Sequence, residues 1–173
     1  MSTSLPDVEQ LLATLIERMR GQIKPGTGII GIHTGGVWVA ERLHASLGSD
    51  VPMGTIDIAF YRDDYGRRGL HDNVKPSEIP FDVNDRDIIL VDDVLYTGRT
   101  IRAAMNELFD YGRPGCVMLA ALVDRGGRQL PIEPQFTGAR LTVPDDKLVS
   151  LEKDDAGRFE LRLQSRAAAG LAP

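Results

Sequence analysis

Apolar residues recur along this chain at two periods, and the alternation between them predicts the architecture. In Val8–Arg20, Leu11, Leu12, Leu15, Ile16 and Met19 share one face, while Glu9, Gln10, Glu17 and Arg18 lie outside it. That is an amphipathic helix, closed by Gly21. Gly28–Ile32 reads as a short apolar strand, 31–36 as a glycine-rich turn, and 37–47 as a helix ended by Gly48. Ile56, Ile58 and Phe60 alternate and predict a strand over 55–60. Residues 88–91, Ile-Ile-Leu-Val, suit a strand buried on both faces, as in a parallel sheet. After a turn, Ile101, Ala104, Met105, Leu108 and Phe109 fall on one helical face. The run 116–123 predicts another buried strand, with β-like pieces at 140–143, 148–151 and 159–163. Asp154-Asp155-Ala156-Gly157 predicts a hairpin turn between the last two, and the chain from Gln164 onward reads as a frayed end.

Strands alternating with helices predict an α/β fold: a right-handed, central parallel sheet flanked by helices, with a small C-terminal β region. Ligand should sit at the carboxyl ends of the strands. Residues 62–85 stand apart, being polar, without periodicity, and carrying Gly66, Gly69, Pro76 and Pro80 beside Arg62, Arg67, Arg68, His71 and Lys75. A stretch of that length inside a compact domain is expected to be a functional loop or hairpin, or disorder.

Composition narrows the function classes. The chain has 173 residues, 42% of them hydrophobic, enough for one sizeable core, and residues 1–173 are expected to form a single domain. A net charge of −5 gives no general electrostatic case for nucleic-acid binding. The single Cys116 lies in an apolar run and reads as a buried structural thiol, which suits a reducing compartment. The N-terminus lacks the basic and apolar regions of a signal peptide, and no apolar run reaches membrane-spanning length. The expectation is a soluble, cytoplasmic protein with no membrane partner.

The chemistry concentrates where the 88–91 strand ends. Asp92 and Asp93 come first, then Val94-Leu95-Tyr96-Thr97-Gly98-Arg99-Thr100, then the helix. A turn at a helix N-terminus offers N–H groups and the positive end of the helix dipole to a phosphate. An adjacent acidic pair would repel a bare phosphate, so it should meet hydroxyls or a metal. A ligand with a phosphate at one end and vicinal hydroxyls nearby fits, namely a ribose 5-phosphate. Gly31-Ile32-His33-Thr34-Gly35-Gly36 also lies between a strand and a helix, which makes it a second anion-binding turn at the same sheet edge.

The strand, acidic pair and Thr-Gly-Arg-Thr turn resemble the binding motif for 5-phosphoribosyl-1-pyrophosphate (PRPP) of type I phosphoribosyltransferases. The resemblance implies that Asp92 and Asp93 hold the ribose hydroxyls, partly through Mg2+ bound by way of water, and that Tyr96, Thr97, Gly98, Arg99 and Thr100 wrap the 5-phosphate. It implies that His33, Thr34, Gly35 and Gly36 receive the pyrophosphate, with a cis peptide at Thr34–Gly35. His33 is not assigned as a catalytic base. Expelling pyrophosphate from ribose C1 requires water to be excluded, so a mobile basic loop should close over the site, with Arg62 its first candidate and Arg67 and Arg68 behind it. Asp124 and Arg125, after the next strand, would lie over the base of a bound nucleotide.

Val91 to Met105, Tyr61-Arg62-Asp63-Asp64, Gly112-Arg113-Pro114, and Leu122-Val123-Asp124-Arg125-Gly126 with Leu130-Pro131-Ile132 narrow the resemblance. They look like the bifunctional pyrimidine operon attenuator/uracil phosphoribosyltransferases, the PyrR type. Purine-type relatives carry an acidic residue where Tyr96 stands, so a pyrimidine is implied. The implied reaction is uracil plus PRPP giving UMP and pyrophosphate, with regulation of pyrimidine genes as a second role and a homodimer or higher homo-oligomer as its form. The alternative is a UMP- or PRPP-sensing RNA-binding regulator with little turnover. A receiver-like signalling domain, which also has paired aspartates, would place them on its first strand.

Departures from the family pattern bear on RNA binding and on catalytic efficiency. The first helix offers only Arg18 and Arg20, Gly127 stands where a basic residue or histidine is common, and His33 and Gly35 stand where Lys and Arg are usual. Arg125, Arg128, Arg140 and Lys147 are left to form a smaller patch across a dimer, and weak or absent RNA binding is expected.

Overall fold

The computed structural model describes residues 5–48, 50–58 and 75–169. Its elements run α1 (Val8–Arg20), β1 (Gly28–Ile32), α2 (Gly35–Leu47), β2 (Met53–Ile56), β3 (Asp87–Leu95), α3 (Arg99–Asp110), β4 (Cys116–Asp124), β5 (Phe136–Arg140), β6 (Lys147–Lys153) and β7 (Phe159–Ser165). Strands β2-β1-β3-β4-β5, in that order and all parallel, form the central sheet, and β6 and β7 form a separate antiparallel pair.

The middles of β1, β3 and β4 are apolar because both faces of the sheet are covered there. Ile29, Ile89 and Val91 pack on one side with α1 and α2, while Ile30, Ile32, Ile88 and Leu90 pack on the other with α3. Period-two alternation divides each strand between the two layers. Helix α1 buries Val8, Leu11, Leu12, Leu15 and Met19, and Asp7 caps it by accepting the Gln10 N–H at 3.0 Å. Val149, Leu151 and Leu161 seat the β6–β7 hairpin on the α1 side.

Several expectations need correction. Cys116 is exposed, because it opens β4 opposite Asp87 and the strand becomes buried only from Leu119. Phe109 is 51% exposed. It lies about 80° round the helix from Ile101, at the margin of the apolar stripe. The strand expected at 140–143 is instead β5, five residues of which the first three are buried. Gly138 hides it from a pattern search, yet the position needs glycine: a Cβ there would stand 2.5 Å from the Leu122 carbonyl oxygen and 3.0 Å from that of Leu11. Strand β2 begins at Met53 and ends at Ile56, and the remainder of the strand expected to reach Phe60 lies partly outside the described residues.

The order β2-β1-β3 places the reversal of strand sequence between β1 and β3. From β1 the chain winds outward through α2 to β2, and from β3 it winds the other way through α3 to β4. Open parallel sheets bind ligands in the crevice at such a switch point, beyond the strand carboxyl ends. The two turns singled out in the sequence are the ones that leave β1 and β3.

Candidate active site

The acidic pair, expected where the strand ends, lies inside it. β3 continues through both residues to Leu95, since β4 runs alongside and pairs with it as far as Asp124. Asp92, opposite Ala121, is 5% exposed, and its Oδ1 accepts the Asp93 N–H at 3.0 Å. Asp93 is half-buried and points to the α2 side: a Cβ added to Gly35 would stand 2.5 Å from its Cγ and collide with its Oδ2.

That approach explains the glycine pair. Gly35 and Gly36 are the first residues of α2 rather than turn residues ahead of it. A Cβ on Gly36 would run into the Val91 carbonyl oxygen and come within 3.1 Å of the Asp92 Cα. The α2 N-terminus therefore crosses β3 at the acidic pair, with no room for a side chain between them. The expected cis peptide lies one bond earlier, at His33–Thr34, because Thr34 is already the N-cap and Gly35 is helical. His33 is half-buried, and its Nδ1 has no hydrogen-bond partner among the described residues. Burial, and then the charge of Lys75, lower its pKa against the opposing pull of Asp57 and Glu41. A cavity of about 400 Å³ beside it is lined by Thr34, Trp38, Glu41, Lys75 and Glu78.

The β3–α3 turn reaches its helix through Gly98, the N-cap, at φ +91°. The Thr97 Oγ1 accepts the Arg99 N–H at 3.3 Å, and the Gly98 carbonyl accepts the Arg102 N–H at 3.0 Å. The turn is enclosed by the segment after β4. Arg125 donates its backbone N–H to Leu95, lays its guanidinium 4.0 Å over the Tyr96 ring, and donates to the carbonyls of Lys147 at 2.8 Å and Pro144 at 3.3 Å. It is 6% exposed, its Nε has no partner among the described residues, and burial lowers its pKa. Asp124, 5% exposed, accepts the Gly126 N–H and forms a 2.7 Å ion pair with Arg128. Gly127, at φ +74°, sits against the Tyr96 ring so closely that a Cβ would overlap it. A side chain at position 127 would displace Tyr96 from Arg125. These residues border a cavity of about 610 Å³ that opens toward Arg140 and Thr142.

The structure thus brings together Asp92, Asp93, His33 to Gly36 and Tyr96 to Thr100, with Asp124 and Arg125 beside them. Arg62, Arg67 and Arg68 lie outside the described residues, as does most of the loop that carries them. Sequence reasoning gave Arg128 no part in this site, although its i+4 spacing from Asp124 was a signal. The basic patch suggested for RNA is corrected, because Arg125 is buried and the Arg128 side chain is only 15% exposed, each bonded within the protein. Arg140 and Lys147 remain, each facing carboxylates, and Arg18 of α1 donates to the Thr137 carbonyl.

Among the described residues no group of three or more His, Cys, Asp or Glu side chains could hold a metal ion, and no helix is long and apolar enough to cross a membrane. The phosphoribosyl transferase domain profile matches residues 3–148. The chain is 54% identical over 154 residues to the bifunctional protein PyrR of Nitrosococcus oceani, an alignment covering 87% of each. It is 49% identical over 153 residues to the bifunctional protein PyrR of Pseudomonas paraeruginosa, covering 86% of this chain and 89% of the relative. In structure it resembles a hypoxanthine-guanine phosphoribosyltransferase of Bacillus anthracis (TM-score 0.64, 18% identity, 82% of this chain and 85% of that one). It also resembles a purine phosphoribosyltransferase of Pyrococcus horikoshii (TM-score 0.60, 30% identity, 78% and 83%).

Proposed function

Because this chain belongs to the phosphoribosyl transferase domain family, in its PyrR group, we propose that it transfers the ribose 5-phosphate of PRPP to uracil. The C1–O bond to pyrophosphate breaks as the bond from uracil N1 to C1 forms, the N1 proton of uracil passes to the departing pyrophosphate or to solvent, and UMP and pyrophosphate leave. The observation that carries this reading is the meeting of two helix-starting turns at the sheet's switch point, with Asp92 and Asp93 between them. A ligand with phosphate groups at both ends and hydroxyls in the middle matches that arrangement.

In this reading, the β3–α3 turn from Tyr96 to Thr100 binds the 5-phosphate through its N–H groups. Asp92 and Asp93 orient the ribose hydroxyls. The α2 N-terminus, with Thr34, Gly35 and Gly36, receives the pyrophosphate, and the helix dipole there stabilises the charge that grows as it leaves. His33 stands beside that N-terminus, with an Nδ1 that has no hydrogen-bond partner among the described residues. Arg62, the basic residue expected to meet the pyrophosphate, lies outside the described residues.

The donor set fits Mg2+: two carboxylates at a diphosphate site are enough, because this ion takes one or two protein carboxylates and completes its shell with phosphate oxygens and water. When bound, it would neutralise charge on the departing pyrophosphate. Tyr96 offers no carboxylate to take a proton from a purine ring, which supports a pyrimidine. Steady-state turnover with uracil, PRPP and Mg2+ should yield UMP, and hypoxanthine and guanine should yield no nucleotide. Absence of UMP in that assay would refute the reading.

The name of the similar proteins, bifunctional, favours a second role in pyrimidine-gene regulation with UMP as ligand and operon RNA as partner. With Arg125 and Arg128 bonded internally, the basic patch read in the sequence is reduced to Arg140 and Lys147, and Arg18 of α1 is also committed to a carbonyl. We therefore expect RNA affinity in the non-specific range, about 10⁻⁴ to 10⁻⁶ M at physiological salt. Titration against the operon leader with UMP present measures it, and nanomolar, sequence-dependent binding would make regulation the primary role.

A further inference from the structure

The phosphate turn is held from outside as well as by its own bonds. Its two carbonyls that face away from the helix are both tied to the segment after β4. The Tyr96 carbonyl accepts Arg128 NH1 at 2.7 Å, across 32 residues of sequence. The Thr97 carbonyl accepts the N–H groups of Gln129 at 3.0 Å and Leu130 at 3.2 Å. Arg99 Nε donates to Gln129 Oε1 at 3.0 Å, and a Cβ on Gly98 would meet Ile132 at 3.3 Å, so the segment is pressed against the turn along its length.

Peptide planarity converts these bonds into a statement about the opposite side of the turn. In a trans peptide the C=O and the following N–H point in opposite directions. Drawing the Tyr96 carbonyl outward aims the Thr97 N–H inward, and drawing the Thr97 carbonyl outward does the same for the Gly98 N–H. Gly98 in the left-handed region then continues a nest of N–H groups of the kind that binds anions.

Among the side chains at this seam, Arg128 has the geometry of a brace. Each of its three nitrogens is engaged: NH1 on the Tyr96 carbonyl, Nε on the Ile132 carbonyl at 2.8 Å, and NH2 on Asp124 Oδ1 at 2.7 Å. Asp124 is itself buried and is held by the Gly126 N–H, so the brace is anchored at the end of β4. A planar guanidinium can meet three acceptors in fixed directions, which an ammonium cannot.

We propose that Arg128 is the positioning residue of the phosphate turn: it fixes the Tyr96–Thr97 peptide so that the Thr97 N–H faces the 5-phosphate. The proposal rests on the phosphoribosyltransferase reading and assigns the turn's alignment to a residue that does not touch ligand. Asp124 acts through Arg128, and its carboxylate, committed to that ion pair, serves the nucleotide site indirectly.

The test compares wild type, Arg128→Lys, and the paired variant Arg128→Met with Asp124→Asn, which removes both buried charges together in case the single change impairs folding. Thermal unfolding verifies that each variant is folded. Calorimetric titration then uses ribose 5-phosphate and pyrophosphate as separate probes. Ribose 5-phosphate affinity should fall about tenfold in both variants, as for the loss of a hydrogen bond to a charged group, while pyrophosphate affinity holds within about twofold. In turnover, the loss should appear mainly in KM for PRPP rather than in kcat. Unchanged ribose 5-phosphate affinity in a folded variant, or equal losses for both probes, would overturn the proposal. Because this readout does not need turnover, wild type that makes no UMP would refute the proposed reaction while leaving the Arg128 assignment to be decided by the titrations.

Discussion

Replacing Asp92 and Asp93 together by asparagine should lower kcat/KM for UMP formation by about a thousandfold, the scale expected when charged groups that act in the transition state are removed. Asparagine has nearly the same shape, so the change isolates charge. With both carboxylates gone, the ribose hydroxyls lose their charged acceptors and Mg2+ loses its protein ligands, while the N–H turns on either side remain. The fold should survive. Asp92 is inside the β3–β4 ladder, but an asparagine Oδ1 can still accept the Asp93 N–H that Asp92 Oδ1 accepts at 3.0 Å. The side chain is 5% exposed, so removing a charge there relieves desolvation rather than adding to it. Circular dichroism and a melting curve check the fold, and turnover with uracil and PRPP checks the chemistry. A folded double variant with wild-type activity would remove the acidic pair from the mechanism.

The parts of the fold legible in the sequence are those governed by local pattern. β1, β4 and the 88–91 core of β3 are apolar runs because helices cover both sheet faces, and α1 shows its buried stripe in full. β5 was misplaced because its register depends on the fit of Gly138 between the Leu122 and Leu11 carbonyls, a contact that no neighbouring residue encodes. At the site, the two turns were legible as motifs, but their convergence was not. Gly35 and Gly36 read naturally as glycines that let a ligand approach; in the fold they let β3 approach. Arg128 was taken for a surface cation because the burial of Asp124 and the approach of the Tyr96 carbonyl arise only once β3 and β4 pair, although Asp124 and Ile132 each lie four residues away.

That reading of the glycines makes a sharp prediction at Gly36. Gly36→Ala introduces one methyl group, which meets the Val91 carbonyl oxygen and, at 3.1 Å, the Asp92 Cα. Both obstacles are backbone in a central strand paired on each side, by β1 and by β4, so neither can swing away as a side-chain tip would. The N-terminus of α2 must instead lift from β3. Overpacking of this kind costs about 2 kcal/mol. In a domain of this size that lowers the melting temperature by about 4–8 °C. The lift also separates the α2 turn from Asp93, so pyrophosphate affinity should fall along with stability. Gly21→Ala is the control: a Cβ there meets nothing within 4 Å, and φ is −88°, a value that alanine adopts readily. It should hold or slightly raise the melting temperature, by reducing the freedom of the unfolded chain. Melting curves and pyrophosphate titrations of the two variants decide the matter. If Gly36→Ala melts with wild type and binds pyrophosphate as tightly, then α2 does not depend on close contact with β3, and the glycine pair must be explained by its ligand after all.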